Sequence, residues 1–188
     1  MDKNLLTKII RSFLLEDIGR GDLTSESIFE AEEMGSARLV ARQSFTVAGA
    51  DKVAAQVFKT QNPEVKTGSA AADGTRVHSG DALLCVDGPV IDLLKAERVA
   101  LNLLQRISGI ATVTAAFVEK VKDYPVRICD TRKTTPGLRM LEKYAVAAGG
   151  GSNHRYNLTD GILIKDNHIA ACGSIKKAVA KIRKHVPH

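Results

Sequence analysis

Hydrophobic positions along the chain follow one rhythm up to about residue 108 and another beyond residue 125. Leu5, Leu6, Ile9, Ile10, Phe13 and Leu14 recur at helical spacing, which predicts a one-sided helix over 3–16. Gly19-Arg20-Gly21-Asp22 breaks it, and Asp22 or Thr24 is placed to cap a short following turn. From Gly35 to Asp92 the texture changes, with Ala37, Leu39 and Ala41 alternating with polar neighbours as strand residues do. Residues 50–58 predict a helix with Ala54, Val57 and Phe58 on one side. Short antiparallel strands are predicted around Val65, Arg76-Val77 and Ala82–Val86, punctuated by glycines. Leu93, Ala96, Ala100, Leu103, Leu104 and Ile107 then predict a long helix with a wide apolar face. Ser108-Gly109 reads as an interruption, after which Val113, Phe117 and Val121 resume the period until Pro125.

The second rhythm starts with Val126-Arg127-Ile128-Cys129-Asp130, which is short and strand-like. Pro136 opens a helix whose inward face is Leu138, Leu141, Tyr144 and Ala145, and Gly149-Gly150-Gly151 ends it. Gly161-Ile162-Leu163-Ile164 has the compact apolar character of a strand buried on both faces. Residues 174–185 predict a basic amphipathic helix. Strand, helix, strand, helix implies βα units. The expected fold is therefore α/β: an α+β sandwich domain over 1–108, followed over 109–188 by a βα-unit barrel domain, here incomplete.

Composition narrows the functional classes. Charged residues make up 26% and hydrophobic residues 44% of the 188, as in ordinary globular proteins. Aromatics are 4% with no Trp, which disfavours a single-strand nucleic-acid platform built on stacked rings. Cys85, Cys129 and Cys172 are widely spaced and form no CxxC pair, which predicts reduced thiols in a cytoplasmic protein, with Cys85 and Cys129 packed inertly in apolar runs. Neither a signal-peptide core nor a membrane span is expected. The net charge of +6 points to anionic partners. A basic run (Lys176, Lys177, Lys181, Arg183, Lys184) raises a nucleic-acid reading, but it reads more simply as a solvated helix face. The turn Asp73–Asp81 resembles those of biotinyl domains, yet no acceptor Lys lies between Lys66 and Lys95.

Placement of the cations is more informative than their number. Thr131-Arg132-Lys133 follows the first predicted barrel strand, Lys165 ends the second with Asp166-Asn167-His168 behind it, and His154-Arg155 lies in the loop after the triple glycine. Residues just beyond C-terminal strand ends face the ligand in βα architectures. Arg132, Lys133, Arg155 and Lys165, with His154, are thus expected on one rim. Like charges gathered there require a compensating anion, and an Arg fork matches a carboxylate or phosphate. The glycines at 149–151 either end a helix or let backbone N–H groups approach a phosphate.

Asp130–Gly137, Glu142–Val146, Gly149–Arg155 and Leu163–His168 resemble the nicotinate-nucleotide pyrophosphorylases, also called quinolinate phosphoribosyltransferases. So do Leu15–Thr24, Ala96-Glu97-Arg98 and Ser108–Thr112. A molybdenum-transport-associated family shares the Thr-Arg-Lys-Thr core, but Ile164-Lys165-Asp166-Asn167-His168 is more similar to the quinolinate enzymes. The resemblance implies a homodimer that joins quinolinate to phosphoribosyl pyrophosphate, releasing pyrophosphate, CO2 and nicotinate mononucleotide in NAD biosynthesis. It implies that Arg132, Arg155 and Lys165 hold the quinolinate carboxylates beside Thr131. Lys133 and His154 would frame the sugar-phosphate side, and Arg98 would be lent across the dimer interface. Lys133, His154 and Lys165 are the implied catalytic residues. Magnesium is implied with phosphoribosyl pyrophosphate, its ligands falling in the part of the family pattern beyond His188. Since the family continues past that point, the resemblance also raises the expectation that these 188 residues alone turn over poorly. The alternative is a catalytically incompetent fragment that binds dicarboxylates or dimerises.

Overall fold

Asp2 opens the first helix, its carboxylate accepting the Leu5 N–H at 2.9 Å to cap α1 (Lys3–Ile18). Leu6, Ile10 and Leu14 form its buried stripe. The next cap belongs to Asp22 and not to Thr24: Asp22 Oδ1 accepts the N–H groups of Thr24 and Ser25, each at 3.1 Å, ahead of α2 (Ser25–Ile28). Residues 1–186 are described in this computed structural model. They fall into two compact units, divided between His154 and Arg155.

In the first unit, β1 (Met34–Val40), β3 (Lys66–Ala70) and β5 (Ala82–Pro89) make an antiparallel sheet in the order β1-β5-β3. Met34 pairs with Pro89, Leu39 with Leu84, and Lys66 with Asp87. β2 (Phe45–Thr46) and β4 (Arg76–Val77) form a separate small ladder. A π-helical turn (Ala50–Ala54) runs into α3 (Ala55–Gln61), which buries Val57 and Phe58 as the spacing predicts. Helices α1, α3 and α4 (Val90–Lys120) share one core with Leu84 and Val86 of β5.

Helix α4 corrects the expected interruption at Ser108-Gly109. It is continuous for 31 residues and passes through Ser108-Gly109 without a break. The apolar period lapses there because that face receives backbone. The Ser108 hydroxyl accepts the Ala48 N–H at 3.1 Å and lies 3.3 Å from the Ala48 carbonyl, and Thr112 Oγ1 accepts the Thr46 N–H at 2.9 Å. Residue 108 lies inside this helix, within the first compact unit. The same helix is long and apolar enough, by length and composition, to cross a membrane. Yet Leu93, Ala96, Ala100, Leu104, Ile107 and Ala111 are buried in the core.

Two predicted barrel strands also need correction. Residues 126–130 contribute a single parallel bridge, Cys129 to Ser152, closed by Asp130 N–H to the Ser152 carbonyl (3.1 Å) and Ser152 N–H to the Ile128 carbonyl (2.8 Å). Residues 161–165 form no strand, and Ile162 and Leu163 are 56% and 41% exposed instead of buried. An apolar run becomes a strand only where a neighbouring strand takes up its N–H and C=O groups, and among the described residues 161–165 has no strand pairing with it. Cys129 is exposed and Cys85 half-buried, so neither is a fully packed core thiol.

α5 (Arg139–Ala148) follows, and its glycine-rich end is a packing device. A Cβ on Gly149 would collide with the Ala111 carbonyl oxygen of α4, and one on Gly151 would stand 2.7 Å from Val146 Cγ1 and 2.9 Å from Thr114 Cγ2. In the second unit, α6 (Asp166–Cys172) and α7 (Ile175–His185) are joined at Gly173-Ser174, where the Ser174 hydroxyl caps α7 by accepting the Lys177 N–H at 3.2 Å.

Two helix-associated glycines should respond oppositely to alanine. Gly149→Ala is expected to lower stability by about 1–3 kcal/mol through overpacking. Gly109→Ala, with open space around the added methyl, is expected to raise it by about 0.5–1 kcal/mol. Urea denaturation of both variants measures this, and equal effects of one sign would contradict the packing described.

Candidate anion-binding site

The segment Thr131–Thr135 links the Cys129–Ser152 bridge to α5, and side chains from α4 and α5 hold both of its ends. At the start, the Lys143 ammonium lies 2.5 Å from Asp130 Oδ1, with only 4% and 7% of the two side chains exposed. Lys143 also donates to the His154 carbonyl at 2.9 Å, while Asp130 Oδ1 accepts the His154 N–H at 2.8 Å. With its amide turned to suit its partners, Asn153 donates to Asp130 Oδ2 at 2.7 Å and to the Lys143 carbonyl at 2.9 Å. Four groups thereby close a small net around two buried charges.

At the other end, Glu142 accepts Arg106 Nε and the Thr135 N–H, each at 3.2 Å, and Arg106 donates to Thr135 Oγ1 at 2.5 Å. Burial pushes the Glu142 carboxyl up, but the hydrogen bonds from Arg106 and Thr135, with the Arg106 charge, outweigh it and hold the group below the usual carboxylate range. Arg139 Nε donates to Thr134 Oγ1 at 3.0 Å and its guanidinium reaches the Arg132 carbonyl at 3.4 Å. Tyr144 ties the same helix to Asp73, whose Oδ1 accepts the Gly49 N–H at 2.7 Å and which pairs with Lys52 at 3.4 Å. Burial first, and then the bond to Asp73, raise the Tyr144 phenol well above its ordinary value.

On this frame Thr131 and Lys133 are exposed, with the Thr131 hydroxyl accepting the Lys133 N–H at 3.0 Å to close the turn. Arg132 between them is half-buried, and its Nε is shielded from solvent without a hydrogen-bond partner among the described residues. A shielded donor of this kind costs free energy until an acceptor meets it. The His154 side chain is exposed, although its backbone is fixed by Asp130 and Lys143. Thr131, Arg132, Lys133 and His154 are thus carried by one unit and joined through Asp130.

Arg155 and Lys165 belong to the second unit. Arg155 Nη1 donates to the Gly161 carbonyl at 2.6 Å. Lys165 is exposed at the start of α6, and its N–H donates to His168 Nδ1 at 3.0 Å, which leaves the His168 proton on Nε2. Arg155 and His168 line a largely apolar groove of about 550 Å³ with Leu158, Ile164 and Lys181. Arg98 stands on the exposed side of α4, about two turns before Arg106. Another groove, about 400 Å³ and lined by Leu39, Arg42, Phe45, Leu104 and Gln105, contains none of the cations singled out from the sequence.

Sequence reasoning passed over Lys143, Asp130, Glu142, Arg106 and Tyr144 as parts of the site. Lys143 had one readable signal, its place one helical step from Met140 on the inward side of α5, where an unpaired Lys is not tolerated. Among the described residues, no group of three or more His, Cys, Asp or Glu side chains is arranged to hold a metal. Asp130, the carboxylate closest in sequence to the cationic loop, is already committed to Lys143 and His154. The residues present therefore do not fit a magnesium site.

Cationic side chains on helix-braced loops of a mixed α/β protein form a candidate anion site, and similarity to known proteins identifies the family. The N-terminal domain model of quinolinate phosphoribosyl transferase matches residues 22–108 and the C-terminal domain model matches 110–188. The chain is 52% identical over 183 residues to the probable nicotinate-nucleotide pyrophosphorylase [carboxylating] of Bacillus subtilis, and 44% identical over 179 residues to that of Synechocystis. Those alignments cover 97% and 95% of this chain but 63% and 60% of the relatives. The crystal structure of NadC from Streptococcus pyogenes superposes with a TM-score of 0.93 at 43% identity, over 100% of this chain and 66% of that one. The chain belongs to the quinolinate phosphoribosyltransferase family, and it spans somewhat under two thirds of the length of these relatives.

The lowered Glu142 carboxyl gives a pH signature. Its contribution to stability is present above 4.5, the ordinary glutamate value, and is lost as pH falls through the lower value in the fold. Urea midpoints of the wild type and Glu142→Gln should therefore differ at pH 7 and converge in acid. A gap that persists unchanged below that range would show that Glu142 does not act through its charge.

Proposed function

We propose that this chain supplies the quinolinate-binding residues of a phosphoribosyl-transfer site in NAD biosynthesis. The observation that carries the reading is Arg132, a half-buried arginine on a loop braced at both ends, whose shielded Nε lacks an acceptor. Family membership and the activities for which the relatives are named support the substrate class.

In this reading Arg132, Arg155 and Lys165 oppose the two carboxylates of quinolinate, with Thr131 beside them. A dianion leaves water only where fixed positive charge receives it. The lone pair of the pyridine nitrogen attacks the anomeric carbon of phosphoribosyl pyrophosphate, and the bond from that carbon to oxygen breaks as pyrophosphate leaves. Lys133 and His154 lie on the sugar-phosphate side. Holding the reactants in line lowers the barrier by as much as about 7–11 kcal/mol. The quaternised nitrogen then stabilises the electron pair left on the adjacent ring carbon when CO2 departs, and a proton from water completes nicotinate mononucleotide. Magnesium bound to phosphoribosyl pyrophosphate would offset pyrophosphate charge, and none of the described residues is assigned to hold it. Arg98, exposed on α4, reaches the site of a second copy in a homodimer, and the setting is the cytoplasm, consistent with three free cysteines.

Arg132→Ala is expected to weaken quinolinate binding by about 2–5 kcal/mol, the scale of losing one partner of a desolvated charge pair. Isothermal titration with quinolinate measures it, with circular dichroism confirming the fold. Equal affinity in the folded variant would remove Arg132 from the site. A turnover assay with both substrates and magnesium separates catalysis from binding alone.

A further inference from the structure

We infer that Lys143 is a positioning residue for the anion site, acting through Asp130 and the His154 carbonyl without touching substrate. The inference rests on the reading that Arg132 and its neighbours bind a dicarboxylate. With 4% of its side chain exposed, Lys143 is closed to ligand. All its visible bonding points at the two chain segments that bear the cations: 2.5 Å to Asp130, next to Thr131-Arg132-Lys133, and 2.9 Å to the carbonyl of His154, next to Arg155.

The net is reciprocal. Asp130 accepts the His154 N–H at 2.8 Å, so Lys143 and Asp130 between them take both backbone polar groups of His154. The Cys129–Ser152 bridge alone is a single rung. One bridge leaves two loops free to swing, whereas the bridge with a buried ion pair beside it fixes residues 130 and 154 relative to each other. A misplacement of about 1 Å at residues that align reactants is enough to lower rates about a hundredfold. Lys143 thus sets the spacing of residues 130 and 154, and not the charge of the loop.

Removing one member of a buried pair strands the other as an uncompensated charge, so Lys143→Met alone can unfold the protein. The informative variant is Asp130→Asn/Lys143→Met in the intact protein. It removes both charges, and the introduced amide oxygen still accepts the His154 N–H. Its melting midpoint is expected within a few degrees of wild type, while the His154 carbonyl has lost its donor. Quinolinate affinity should then fall about tenfold or more, and the amides of residues 152–154 should exchange with deuterium faster. If affinity returns with stability and exchange is unchanged, Lys143 is only a folding element and the inference is overturned. If the unsubstituted protein binds no quinolinate, the substrate reading fails instead, and the exchange rates by themselves decide whether Lys143 holds the loops.

Discussion

Two opposite charges removed from water at Lys143 and Asp130 constrain everything around them. The desolvation of each ion costs several kcal/mol, and mutual attraction offsets it only when the remaining hydrogen-bonding capacity is filled. Here the filling groups are the N–H and C=O of His154 and the Asn153 amide, so the pair is tolerable only while residues 152–154 lie against residues 128–130. The loop conformation and the ion pair therefore require each other. An apolar pair of the same volume could serve stability equally well, but it would not specify where a backbone carbonyl must stand.

Helix α4 transmits the geometry of the sandwich to that loop. Its first half lies in the core with β5 and α3, and its middle takes backbone groups of residues 46 and 48 through Thr112 and Ser108. Arg106 reaches Glu142 and Thr135, and Ala111 and Thr114 accept the bare backbone of Gly149 and Gly151. The cationic loop is therefore referenced to the antiparallel sheet by one rigid rod. This explains why a helix apolar enough for a bilayer is instead punctuated by small and hydroxyl side chains, each at a place where another backbone comes close.

Elements that depend on local periodicity were legible in the sequence. α1, α3, α7 and strands β1, β4 and β5 follow from spacing and glycine punctuation, because their side-chain patterns are local even where the pairing partner, as for Met34 and Pro89, lies far along the chain. Ser108-Gly109 misled because two small polar residues inside a helix look alike whether they break it or dock a strand. Ile162-Leu163-Ile164 misled for a related reason, since apolar composition states a preference for burial and says nothing about whether a pairing strand lies alongside. The motif at Thr131–Lys133 was readable as chemistry, whereas its support was not. Lys143 meets Asp130 thirteen positions away across a turn, and no periodicity encodes that meeting.

Glu142, Lys143 and Tyr144 are consecutive, yet they fasten to α4, to the cationic loop and to the Asp73 turn respectively. Successive side chains on a helix diverge by about 100°, so one turn of α5 acts as a three-way fastener. Inserting or deleting a single residue upstream within that helix would rotate all of them at once and undo every attachment together. Three attachments at once therefore fix the register of α5.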